Sequence, residues 1–107
     1  MDAQDWIRER KDLLALLPYE ENGIVSKQIL KGDGSNAIVY SIYEGEKLAC
    51  ESFPNNILMV GLEGKAILRL DKENFDLGPL VSMVVPRGTK YSLVATSNFK
   101  VLVVLKI

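Results

Sequence analysis

The spacing of hydrophobic and polar positions changes after about residue 22. Between Trp6 and Leu17 apolar residues recur near helical intervals with charged residues between them, and Pro18 follows. This spacing predicts an amphipathic helix within residues 1–18 that ends at the proline. Its charges are mixed in sign, which favours packing against the domain or a partner over a membrane surface.

The remainder of the chain, residues 24–107, is a succession of short runs rich in apolar and β-branched residues. Gly, Pro, Asn and Asp separate the runs. This pattern predicts eight or nine short strands joined by turns. Close, regular spacing of strands is typical of a β-sandwich or barrel and argues against alternating β and α units. The predicted runs are 24–30, 37–43, 48–53, 57–62, 65–70, 75–77, 80–85, 91–95 and 100–107.

Length and charge limit the function classes. The chain has 107 residues, which fits one domain spanning 1–107. Its 13 basic and 14 acidic residues leave no excess cation for phosphates, so we expect no nucleic-acid partner. No apolar run approaches the roughly 20 residues of a membrane helix, so we expect no membrane partner. A domain this small gains stability by association, and we therefore expect a homodimer.

The chain contains one cysteine, Cys50, and no histidine. The N-terminus lacks the basic start and apolar stretch of a signal peptide, which favours a reduced cytoplasmic protein. A nucleophilic cysteine requires a base that helps to form the thiolate, and no histidine exists to serve. We therefore interpret Cys50 as a packing or rim residue.

Two motifs in the second half resemble those of the cupin superfamily. An apolar strand over residues 57–62 ends in Leu62-Glu63-Gly64, and Pro86-Arg87-Gly88 precedes a strand that starts at Tyr91. The likeness covers roughly residues 45–107. It implies an all-β, cupin-like double-stranded β-helix, that is a jelly-roll barrel, here with a short N-terminal helix.

The resemblance also implies where a metal would bind. Cupins typically hold a metal with three histidines and a carboxylate. The three histidine positions fall here at Glu51, Phe53 and Tyr91, and the carboxylate position falls at Asn56 or Ile57. Divalent first-row metals favour imidazole and carboxylate ligands. We therefore expect neither a metal nor another cofactor.

Alternation along the strands predicts which side chains face the barrel interior. If Glu51 and Phe53 face inward, alternation places the side chains of Ile57 and Met59 inward as well. Tyr91 then faces them across the barrel. The interior is then mainly apolar, with Glu51 and Tyr91 as its polar pair, and burial would raise the pKa of the carboxyl. The candidate ligand-binding residues are Glu51, Phe53, Asn56, Ile57, Met59 and Tyr91.

Two functions are compatible with these residues. The first is a module without catalysis that binds a small, largely apolar ligand or serves in dimerisation. The second is a metal-independent isomerase or epimerase acting on a sugar or keto acid, with Glu51 and Tyr91 as its catalytic groups. Enzymes of the second kind in this superfamily typically use a histidine base, so the absence of histidine favours the first. No helix-turn-helix fits into the first 22 residues, which argues against a DNA-binding regulator.

Overall fold

The structure, a computed structural model, describes residues 8–106 and contains nine strands. The predicted runs are confirmed as strands, with small changes at their ends, and Ile107 lies outside the described residues. The strands are β1 Ile24–Lys31, β2 Ser35–Ile42, β3 Lys47–Cys50, β4 Ile57–Glu63, β5 Ala66–Leu70, β6 Glu73–Leu77, β7 Ser82–Val85, β8 Tyr91–Ala95 and β9 Phe99–Lys106.

The strands form two antiparallel sheets. One sheet has five strands in the order β1-β2-β9-β4-β7, and the other has four in the order β3-β8-β5-β6. Neighbours in space are often distant in sequence, as where β9 pairs with both β2 and β4. The all-β prediction is confirmed, and the crossing connections are those of a jelly roll. Among the described residues no helix is long and apolar enough to cross a membrane.

The core lies between the two sheets and follows the two-residue period of the strands. Met59 on β4, Leu68 on β5 and Phe99 on β9 are fully buried, and they belong to one continuous hydrophobic cluster. Ile57, at 1% exposure, lies in the same cluster. The inward orientation predicted for Ile57 and Met59 is therefore what the structure shows.

The predicted N-terminal helix is wrong in the part that the structure describes. Residues 1–7 lie outside the described residues, and residues 8–18 contain turns but no helix. In one of these turns the Ala15 amide donates to the Asp12 carbonyl (3.1 Å). The carbonyls that a helix would use internally bind barrel side chains instead. Ser41 Oγ donates to the Leu17 carbonyl (2.8 Å), and Lys100 Nζ donates to the Leu14 carbonyl.

Residues 8–19, here called the strap, are held on the outer face of the five-stranded sheet by a buried lysine. Lys100 is only 6% exposed, and its Nζ lies 3.7 Å from Glu63 Oε2 and 4.9 Å from the centre of the Tyr19 ring. The Tyr19 hydroxyl donates to the same Glu63 oxygen (2.7 Å). Burial raises the pKa of the Tyr19 phenol, and the Glu63 carboxylate raises it further. A buried ammonium needs such partners, and the strap supplies two of them.

The turn of the first motif requires glycine at position 64, because another segment of the backbone approaches it closely. Gly64 has φ +79°, and a Cβ built there would lie 1.9 Å from the Asn98 carbonyl oxygen. Both the backbone conformation and the lack of space therefore require glycine. This turn joins β4 to β5, so it sets how the two sheets meet.

Candidate functional site

The inner surface of the barrel contains three of the predicted site residues besides Ile57. Met59 is fully buried, Tyr91 is 9% exposed, and Phe53 is half-buried and packs against the hydrophobic cluster. All three therefore line or fill the space between the sheets.

Glu51 does not face the interior, and the predicted pairing of its carboxylate with Tyr91 across the barrel is wrong. Its side chain is 85% exposed, and its carboxylate lies 3.7 Å from Lys90 Nζ on the surface. The physical reason is that Leu48 and Cys50 of β3 pack against the core, so the two-residue alternation directs Glu51 outward, opposite to the orientation that the resemblance implied. Within β3 it is Cys50 that stands opposite Tyr91.

Asn56 has a structural contact. Its side chain is exposed on the loop before β4, and its Oδ1 accepts a hydrogen bond from the Arg87 amide (2.9 Å). Beside it the Gly88 amide donates to the Phe53 carbonyl (2.9 Å). These bonds fasten the loop before β4 to the Pro-x-Gly turn, and they fix the positions of Phe53 and Tyr91.

The polar groups that contact the hydrophobic core include the phenols of Tyr40 and Tyr91 and the thiol of Cys50. Burial raises the pKa of Tyr91 to about 12, with smaller contributions from Cys50 and Tyr40. Burial also raises the pKa of Tyr40. Both phenols are therefore protonated at neutral pH and can donate hydrogen bonds. Within residues 8–106 neither hydroxyl has a hydrogen-bond partner.

A further polar atom in β2 lacks a partner. Asn36 Oδ1 is buried and makes no hydrogen bond to a described residue. Asn36 stands opposite Leu105 of β9, and Tyr40 stands opposite Val101, which is fully buried. The two-residue period therefore places Asn36 and Tyr40 on the same side of β2, toward the core.

Sequence reasoning did not include Asn36 and Tyr40 in the site, and it treated Cys50 only as a packing or rim residue. The signal for Tyr40 was present, since Ile38, Tyr40 and Ile42 alternate along one strand face. What sequence could not show is which face of β2 meets the core, because both faces carry apolar residues.

Solved structures match nearly the whole chain. A cupin superfamily protein from Desulfitobacterium hafniense DCB-2 has 26% sequence identity and a TM-score of 0.86, and the match covers 94% of this chain and 93% of that chain. This chain is a small cupin barrel. The cupin 2 conserved barrel domain protein from Leptotrichia buccalis is 27% identical, with a TM-score of 0.80 over 86% of this cupin and 45% of that chain.

A third similar structure carries no functional description. The conserved SPY1581 protein of unknown function from Streptococcus pyogenes is 22% identical, with a TM-score of 0.85 over 92% of this cupin and 87% of that chain. No protein-family model matches this cupin. No curated protein matches it either. The comparisons therefore give the fold and the superfamily without an activity.

The side chains at the metal positions of this cupin do not fit a divalent metal. Phe53 and Ile57 carry no ligand atom, burial keeps the Tyr91 phenol protonated, and Glu51 points to solvent. Across residues 8–106 there is no group of three or more His, Cys, Asp or Glu side chains placed to hold a metal ion. A site of this composition offers a divalent cation too few donors.

An open cleft of about 420 Å³ lies beside β3, the end of β5 and the start of β8, and both Glu51 and Tyr91 border it. Its charged groups have both signs, and the Glu51–Lys90 pair is mostly exposed to solvent. Exposed pairs of this kind contribute little binding energy. The cleft is lined by Lys47, Ala49, Cys50, Glu51, Arg69, Asp71, Lys90, Tyr91 and Ser92.

Proposed function

We propose that this cupin is a binding module without catalysis or metal, which takes a small, largely apolar ligand inside the barrel and works as a homodimer. The observation that carries the ligand proposal is the set of inward residues here called the rim: Tyr40, Cys50, Phe53 and Tyr91. All four contact the hydrophobic core. Two of them bear hydroxyls without a partner among the described residues.

The chemistry of the rim selects the ligand class. Phe53 and the core behind it favour an apolar body. The phenols of Tyr40 and Tyr91 favour a hydrogen-bond acceptor on the ligand, because both are protonated at neutral pH and can donate. The expected ligand is therefore a small apolar molecule that carries one carbonyl or hydroxyl oxygen.

The isomerase alternative retains one supporting observation, since Glu51 and Tyr91 border the same cleft. A general base, however, has to reach its substrate in a site that excludes water, and the Glu51 carboxylate is solvated beside Lys90. We therefore favour binding over catalysis. An isomerase activity that Glu51→Gln abolishes would contradict the proposal of binding without catalysis and support the enzymatic alternative.

A pair of matched small molecules tests the ligand proposal. Cyclohexanone and methylcyclohexane have similar size, and only the first accepts a hydrogen bond. In thermal-shift titrations we expect cyclohexanone to raise the melting temperature more than methylcyclohexane, because a ligand that binds the folded state stabilises it. The Tyr40→Phe/Tyr91→Phe double variant should remove the difference. Equal shifts in the wild type, or no shift with either molecule, would overturn the proposal.

Two further measurements test the predicted absence of metal and the proposed homodimer. Elemental analysis of the purified protein should find no stoichiometric metal, because the donor set is poor. Sedimentation should find a dimer. We also place the protein in the reducing cytoplasm, where its single thiol remains unpaired.

A further inference from the structure

The cleft beside β3, β5 and β8 opens on the outer face of the four-stranded sheet, away from the barrel interior. β8 is the strand between the other two, and its Ser92 stands opposite Ala49 of β3 and Arg69 of β5. The next residue of β8, Leu93, is fully buried, so the two-residue alternation directs Ser92 and its paired neighbours outward. The small side chains of Ala49 and Ser92 therefore form a low floor, and the longer side chain of Arg69 stands beside it.

Two hydrogen bonds hold the Arg69 guanidinium at one side of this floor. Its Nε donates to the Asp71 carbonyl (3.2 Å), and its Nη1 donates to Asn74 Oδ1 (3.5 Å). The Asp71 amide in turn donates to the Lys90 carbonyl (3.2 Å), which ties the turn after β5 to the loop before β8. Neither acceptor is a carboxylate, and within residues 8–106 Arg69 makes no ion pair. The guanidinium is therefore oriented while its remaining N–H groups are available to an anion.

Two further donors on this face have no acceptor in the part of the chain that the structure describes. The Lys47 ammonium makes neither an ion pair nor a hydrogen bond, and the Ser92 hydroxyl makes no hydrogen bond. Lys47 stands opposite Val94, which places it diagonally from Ser92, at about 7–8 Å between strands. A lysine side chain is long enough to cover that distance. Ammonium, hydroxyl and guanidinium can therefore meet at one group above the floor.

The acidic residues at the border of the cleft determine which charge fits. The Glu51 carboxylate lies 3.7 Å from Lys90 Nζ, so these two side chains largely neutralise each other. Of the other charged side chains at the cleft, Lys47 and Arg69 are basic and Asp71 is acidic, which leaves one net positive charge. A single negative charge therefore suits the cleft, and repulsion from the two carboxylates disfavours a doubly charged anion.

We propose that this cleft is a second binding site, which holds the carboxylate group of a small organic monoanion. The site is separate from the apolar interior of the barrel, and it adds a polar class of ligand to the proposed function. A planar carboxylate matches the fork of Arg69 and accepts two parallel hydrogen bonds from it. Ser92 donates a further hydrogen bond, and Lys47 supplies a second positive charge. The volume of about 420 Å³ accommodates a molecule of a few carbon atoms.

Propionate and propionamide test the carboxylate, because they have nearly the same shape and only the first is charged. In NMR titrations at constant ionic strength, propionate should give saturable shifts at the amides of Ala49 and Ser92 and at the Arg69 Nε–H. Propionamide should leave these signals in place. Sulfate, a dianion with similar oxygen acceptors, should bind more weakly than propionate, because the carboxylates at the border repel it.

Substitutions separate the charge of the cleft from the fork of the guanidinium. Arg69→Gln and Lys47→Gln should each weaken propionate binding at least about threefold, since each removes a charged donor. Arg69→Lys keeps the charge and loses the planar fork, so it should also bind propionate more weakly than the wild type. Lys65→Gln is the matched control, because it makes the same charge change at an exposed residue outside the cleft, and it should bind as the wild type does.

Four results would overturn the site. Equal shifts with propionate and propionamide would show that the cleft does not recognise the charge. Wild-type affinity in Arg69→Gln, or a loss in Lys65→Gln as large as in Arg69→Gln, would show that the fork of the guanidinium binds nothing specific. Sulfate that binds more tightly than propionate would contradict the class of ligand. Propionate shifts confined to Tyr40 and Cys50 would place the probe in the barrel interior, which contradicts this site and leaves the proposed function intact.

Discussion

At the scale of single residues, Leu80 combines exposure with an unfavourable backbone. Its side chain is 84% exposed and its φ is +62°, while the other non-glycine residues with positive φ in the described chain, Arg8, Asn22 and Asp71, are polar. The Val81 amide donates to the Gly78 carbonyl (3.1 Å), which makes Pro79-Leu80 the centre of a tight turn. That turn requires positive φ at its third position, where glycine is favoured.

We expect Leu80→Gly to stabilise the protein by about 0.5–1 kcal/mol, because relief of the left-handed strain exceeds the added freedom of the unfolded chain. Urea unfolding measures the change. Val81→Gly is the control, since that neighbour has no positive φ and should lose about the same amount. A less stable Leu80→Gly variant would show that the leucine side chain makes a contact that outweighs the strain.

Also at the scale of single residues, the buried phenol of Tyr91 makes the free energy of unfolding depend on pH. Its pKa in the folded state is about 12, above the value of 10.0 for an unperturbed phenol, so folding favours the protonated form. This contribution is complete below pH 10, and it is lost as the pH rises from 10 towards 12, because the unfolded state gives up its proton first.

We expect the free energy of unfolding of the wild type to fall between pH 10 and 12 more steeply than that of Tyr91→Phe. The difference in slope should approach 1.4 kcal/mol per pH unit in that window. Denaturant unfolding at a series of pH values measures it, and the comparison at pH 7 gives the effect of the hydroxyl alone. Parallel slopes for the two proteins would contradict the assignment of a buried phenol.

At the scale of elements, the strap shows how tertiary contacts override a helical pattern. The spacing of Leu13, Leu14 and Leu17 is helical, but carbonyls of this segment accept hydrogen bonds from Ser41 and Lys100. A short isolated helix is marginal in water, so side chains of the barrel compete successfully for its backbone. The β-strands formed where they were predicted, because their backbone groups form hydrogen bonds with neighbouring strands and side chains do not compete for them.

Loss of one strap contact should loosen this segment without unfolding the barrel. Ser41 is fully buried, and Ser41→Ala leaves the Leu17 carbonyl without its partner at a cost of about 1 kcal/mol. We expect faster hydrogen exchange at strap amides and unchanged exchange in β8. Ser92→Ala, on the other sheet, is the matched control. Exchange in the strap that stays at the wild-type rate would show that Ser41 does not hold it.

At the scale of the whole molecule, the chain is a small cupin barrel whose core is contacted by the phenols of Tyr40 and Tyr91 and by the thiol of Cys50. We propose that this cupin is a homodimer, and in a homodimer of small barrels association and folding are coupled. The melting temperature should then rise with protein concentration. A concentration-independent melting temperature in the wild type would contradict the coupling.

Much of the fold could be predicted from the sequence, and less of the site. The two turns were predicted from the motifs Val85-Pro86-Arg87-Gly88 and Leu62-Glu63-Gly64. The absence of histidine ruled out the family's usual metal ligands. Ile57 and Met59 were placed inward correctly, because strand alternation is a local property. Glu51 was placed wrongly, because its inward orientation was taken from the resemblance, whereas the inward residues of β3 are Leu48 and Cys50.

The sequence by itself determined the β-strands, their turns and the donor atoms available to the site, since these follow from residue types and their spacing. Only the tertiary structure decided that residues 8–18 form a strap, that Glu51 is outside, and that Tyr40 stands near Tyr91. It also placed β9 between β2 and β4 in the five-stranded sheet. These features depend on pairings between segments far apart in sequence, and such pairings leave no local pattern to read.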